Sequence, residues 1–144
     1  MMKPWLVLFL VLLLGRAVAE EVTLHRIYHN PQEEKGWMDY RVERPEYVKV
    51  PEWEPMPGSE VPLSRDKAVE IAKQATAASG VGEKARMIVS LEATNRYEKE
   101  ILKRLPQDGC RWFYVVEFRE EGKKSIFCVV TMSGAVAKAV PGGK

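Results

Sequence analysis

The sequence predicts an α+β fold: one main helix packed on a small antiparallel sheet of three to four strands, in the order α-β-β-β, behind a proline-rich extended segment. Three observations lead there. "LSRDKAVEIAKQATAASG" repeats small apolar residues at helical spacing and carries signals for both its start and its stop. "RMIVSLEAT" alternates like a half-buried strand. "WFYVVEFREEGKKSIFCVV" reads as two strands around a charged turn.

Along the chain, residues 1–19 have the form of a signal peptide. Lys3 precedes the apolar run Leu6 to Leu14, and Ala17 and Ala19 fit the small residues before a cleavage site. That run is shorter than the ~20 residues a membrane span needs. The expected mature chain is therefore extracytoplasmic, periplasmic or secreted, with no integral span after cleavage. It keeps 125 of the 144 residues.

Residues 20–62 hold Pro31, Pro45, Pro51, Pro55, Pro57 and Pro62, which remove backbone donors and point to extended or looped chain. Tyr28, Trp37, Tyr40, Tyr47 and Trp53 lie in the same stretch, although disordered linkers are poor in aromatics.

A domain expected at 63–141 begins with the helix. Ser64 is an N-cap, Asp66 suits the positive helix end, and Gly80 is placed for a left-handed stop. Its inward stripe is Ala68, Ile71, Ala72, Ala75 and Ser79. In the next strand Met87, Val89, Leu91 and Ala93 share a face. Residues 95–105 favour a short helix through Tyr97, Ile101 and Leu105, with a continued, bulged strand as the alternative. In the hairpin Trp112, Tyr114, Val116 and Phe118 line one face with Ile126, Cys128, Val130 and Met132. Phe113, Val115, Phe127 and Val129 line the other. Ser133-Gly134 marks a turn, and "AVAKAV" a last short strand before a Pro-Gly-Gly tail.

Charge and chemistry narrow the function. Without Lys3 and Arg16 the 22 basic residues become 20, matching the 20 acidic ones. Nucleic acid and acidic membrane surfaces, which select a basic surplus, are not expected partners. No Cys-x-x-Cys motif is present. A bond between Cys110 and Cys128 would have to bridge a hairpin offset of roughly 13–20 Å at ~3.3 Å per residue, against the ~7 Å a disulfide allows between Cα atoms. Two thiols are favoured, and a bend or bulge would rescue the pair. His25 and His29 would converge on a metal from a helix, with Glu33 or Glu34 as third ligand, but "VTLHRIYH" reads as strand. In a strand the two histidines stand about 13 Å apart. Glu120-Glu121 falls in a turn, no nucleophile has a base near it, and Trp112 reads as core. No catalytic, metal or cofactor residue is assigned.

"LSRDKAVEIAKQA", "WFYVVEF" and "FCVVTMSGAV" together resemble the PepSY domain family over Leu63 to Val140. These segments look like the family's opening helix, its Trp-led central strand and its closing valine-rich strand and turn. Two positions depart from the pattern: Val130 stands where the family usually has Asp, and Ser133 where it has Thr. The resemblance implies a non-catalytic exported domain that binds or restrains a peptidase or another extracytoplasmic protein.

One helix covers one side of a small sheet. Phe113, Val115, Phe127 and Val129 would each forgo roughly 1.5–3 kcal/mol if left in water, so they are the candidate protein-contact face. Their cover is expected to be an exported partner, a second copy in a homodimer, or the chain's own aromatic leader. In the last case the protein is a structural or accessory one whose N-terminal segment completes its core. A small metalloprotein or hydrolase is the third class.

Overall fold

The computed structural model describes residues 20–30, 32, 35–93 and 111–143. The expected signal peptide (1–19), residues 95–105 and Cys110 lie outside them. The chain runs β1 (Glu21–Asn30), β2 (Lys35–Glu43), α1 (Arg44–Lys49), α2 (Arg65–Thr76), a 3-10 turn (Ala77–Ser79), β3 (Arg86–Ala93), β4 (Trp112–Arg119), β5 (Ile126–Thr131) and β6 (Lys138–Gly142). The strands form two antiparallel sheets, β1-β2-β6 and β3-β4-β5.

This corrects the expected fold class. The molecule is not one main helix on one sheet behind an extended segment; it is mostly two three-stranded sheets with one short helix beyond the first turn-length one. The error lay in reading the prolines as pervading the leader. They punctuate it. Pro45 occupies the first turn of α1, where a missing N–H is harmless, and the other described prolines before α2 fall at 51–62, outside regular structure. β1 and β2 themselves contain none.

"VTLHRIYH" reads as strand, but its pairing into a sheet over the core was not expected, because the alternation of β1 changes phase. Thr23 pairs with Arg41 and His25 with Tyr40, so Leu24 is the extra residue of a bulge. Val22 before the bulge, Leu24 in it, and His25 and Ile27 after it all turn towards the β3-β4-β5 sheet. β2 needs no such shift: Met38, Tyr40 and Val42 point inward.

Two cores result, one on each side of β4. On the first, α2 lays Ala68 and Ala72, both fully buried, on Tyr114, Val116, Phe118, Cys128 and Val130. Small side chains let the helix approach closely. Ser64 caps it by accepting from Lys67 N at 3.2 Å, and Gly80, φ 77°, closes the 3-10 turn that follows it. The inward stripe ends on Thr76, whose hydroxyl donates to Ala72 O at 2.8 Å, and not on Ala75 and Ser79, which are exposed. Val50 is buried in this core, Trp53, Val61 and Leu63 fill its margin, and Tyr114 Oη donates to Leu63 O at 2.7 Å.

The second core joins the sheets. Val22, Leu24, Tyr40, Val42 and Tyr47 pack on Phe113, Val115 and Val129, with Ala137 at the join. The chain crosses between sheets just there. Val136 bridges to Val130, Ala137 N donates to Val129 O at 2.9 Å, and the next residues pair with β2. The turn before it is tied by Thr131, whose hydroxyl accepts from Ala135 N at 3.2 Å. Sequence reasoning placed the last strand in the wrong sheet and treated the Pro-Gly-Gly end as a tail. Trp37 lies against that backbone: a Cβ added at Gly142 would stand 2.5 Å from Trp37 Nε1, and one at Gly143 would strike the same ring.

Cys128 is a free, buried thiol on the α2 side, opposite Val116, and burial pushes its pKa up to about 11. Both effects suppress the reactive thiolate. Iodoacetamide at pH 8 should leave Cys128 unmodified in the native protein and label it on denaturation, as read by peptide mass spectrometry.

Candidate functional site

The four residues expected to form a contact face are occupied by the chain itself. Phe113 (1% exposed), Val115 (6%) and Val129 (0%) lie in the core between the sheets, and Phe127 packs on its margin, partly buried. Their cover is β1 and β2. A partner could reach this surface only by displacing that hairpin.

On the outer side of β2 lies a polar cluster that sequence reasoning missed. Asp39 is 1% exposed and accepts from Arg26 Nε at 2.7 Å, Arg26 Nη2 at 3.1 Å and Arg41 Nη2 at 3.0 Å. Burial alone would push the Asp39 carboxyl up; the two guanidiniums outweigh it and hold the pKa below the ordinary carboxylate value. The Arg26 guanidinium also sits 4.3 Å from the Trp37 ring centroid. Every oxygen is taken by a guanidinium, so the cluster fastens β1 to β2 and offers no acid or base. The i, i+2 spacing of Asp39 and Arg41 was the only available signal.

His25 turns inward, its ring 5.8 Å from that of Phe113, and burial lowers its pKa while nearby Glu92 raises it. His29 is exposed towards the far end of β1. Glu33 and Glu34 are outside the described residues, and among those described no three His, Cys, Asp or Glu side chains gather as a metal site would require. Glu120 pairs with Lys123 across the turn at 3.2 Å. Trp112 meets Trp53 edge-on, ring centroids 6.3 Å apart, at the margin of the α2 core.

Among the described residues the fold leaves an edge open. The outer strands are β1 and β6 of one sheet and β3 and β5 of the other; β6 carries Pro141, and β5 has the Val136 bridge along its outer side. β1 is guarded by its bulge. β3 pairs with β4 in unbroken register from Arg86–Arg119 to Ala93–Trp112 and, among the described residues, has no strand on its other side. It has no proline, and its centre, Met87 to Leu91, has no charge. Met87 and Ile88 are 40% and 37% exposed. Beside it, on the α2 side, Val81, Ala85, Met87 and Phe118 line a depression of about 390 Å3 that also includes Lys73 and Glu83. An unguarded edge with an adjoining apolar hollow can accept an extended strand, its backbone on the edge and one side chain in the hollow.

Among the described residues no helix is long and apolar enough to cross a membrane. No known protein family, curated protein or solved structure matches the chain. Val130, where the PepSY pattern has Asp, is wholly buried beneath α2.

Proposed function

We propose that this protein is an exported, non-catalytic binding module that uses the β3 edge to take up an extended segment of another extracytoplasmic protein, a peptidase being the class suggested by the PepSY resemblance. The observation that carries this reading is the uncharged edge Met87 to Leu91 beside the hollow of Val81, Ala85 and Phe118. The N-terminal hairpin supports it structurally. By filling the face of Phe113, Val115 and Val129, it makes a rigid backing for β4 and so for the edge.

Strand addition depends on backbone pairing, which an inward-placed lysine on an edge opposes. Val89→Lys should therefore abolish capture of partners from the native extracytoplasmic fraction; the melting temperature should fall with the loss of Val89 from the margin of the α2 core, but a cooperative thermal transition should remain. Equal capture by parent and variant would overturn the edge as the binding surface.

A further inference from the structure

The β3 strand is complementary to itself. Written antiparallel to a second copy about Val89, "RMIVSLE" sets Arg86 opposite Glu92 of the second copy, Met87 opposite its Leu91, Ile88 opposite its Ser90, and Val89 opposite its Val89. Two-fold symmetry repeats each pair, so one register gives two Arg–Glu contacts on one face and an unbroken apolar row on the other. Shifting the register by two residues loses both ion pairs.

The surroundings favour the same register. Within the chain Arg86 stands opposite Arg119, an unfavourable like-charge neighbour, and Arg119 already binds Glu117 at 3.0 and 3.1 Å. A carboxylate arriving across the edge that the described residues leave unpaired would relieve Arg86. Glu92 lies on the same face of β3 as Arg86, opposite Phe113 and within electrostatic reach of His25. On the α2 side, Met87 is a wall of the 390 Å3 depression, so Leu91 of the second copy would extend the apolar core at its mouth.

We infer that the protein forms a symmetric homodimer by antiparallel β3–β3 pairing, making a continuous six-stranded sheet from the two β3-β4-β5 sheets. This rests on the reading of β3 as a strand-accepting edge and names its occupant. The dimer closes that edge, so self-pairing and uptake of another protein exclude each other.

The test is a charge swap on the full chain, expressed with its own leader and purified as it accumulates, with mass measured by light scattering and sedimentation. The parent should have twice the chain mass. Arg86→Glu and Glu92→Arg should each weaken the dimer about tenfold or more, since two ion pairs become two like-charge contacts. An equimolar mixture of the two variants restores both pairs and should yield a heterodimer as tight as the parent, an outcome that a misfolded variant could not give. A parent that stays monomeric at high concentration, or a dimer indifferent to both reversals, overturns the inference. If that monomer still loses partner capture on Val89→Lys, the edge reading survives and only the second copy is excluded.

Discussion

Removing residues 20–56 should abolish cooperative folding of the remainder. The deletion takes away β1, β2 and α1, and with them Val22, Leu24, Tyr40, Val42 and Tyr47 from the core between the sheets. Phe113, Val115 and Val129 would pass from nearly complete burial to water. At roughly 1.5–3 kcal/mol each, these three alone cost about 5–9 kcal/mol, comparable to the ~5–15 kcal/mol by which a domain is stable. β6 also loses β2, its partner from Trp37–Gly142 to Arg41–Lys138. The truncated chain should show no sharp thermal transition by circular dichroism and should bind a hydrophobic dye strongly, which the parent should not. A truncated protein melting at the parent's temperature would mean that the hairpin contributes nothing to the core.

The second large effect belongs to Asp39. Asp39→Ala removes the one carboxylate shared by Arg26 and Arg41 and leaves two guanidiniums crowded without it. Breaking a buried pair costs about 3–5 kcal/mol. Because both arginine side chains keep about a third of their surface exposed, at 30% and 35%, the low end, about 3 kcal/mol, is expected. The pH dependence has a definite sign. The folded pKa of Asp39 lies below its unfolded value, so its contribution is complete above about pH 4 and is lost as acid carries the protein through the folded pKa. Urea unfolding should separate parent and Asp39→Asn at pH 7 and bring them together well below pH 4. A constant difference across that range would show that the lost interaction is not the ionised carboxylate.

How much of this was legible in the sequence depends on the kind of signal. α2 was legible because Ser64, Asp66 and Gly80 bracket it and Ala68 and Ala72 repeat at four. The β4–β5 hairpin was legible because strict alternation divides it into the two faces the register shows, with Val116 opposite Cys128. Those same residues posed the correct physical question, since a hairpin apolar on both faces needs two covers. The answer was hidden by local features. The bulge at Leu24 breaks the period-2 pattern of β1, and the prolines around β2 obscure the alternation of Met38, Tyr40 and Val42. Pairing of β2 with β6, about a hundred residues apart, leaves no local mark at all. The candidate edge differs again: Met87 to Leu91 was visible as a strand, but only topology puts it at the rim of the sheet. Glu92 and Arg86 gain meaning only from that position.

Residue-resolved native-state hydrogen exchange asks most directly whether the N-terminal hairpin is part of the fold. If β1 and β2 form one cooperative unit with β4 and β5, the amides of Tyr40 and Val42 exchange with the same free energy as those of Val115 and Val129, near the global value. Exchange of Tyr40 and Val42 at rates close to those of free chain, with β4 and β5 still protected, would contradict a core shared between the sheets.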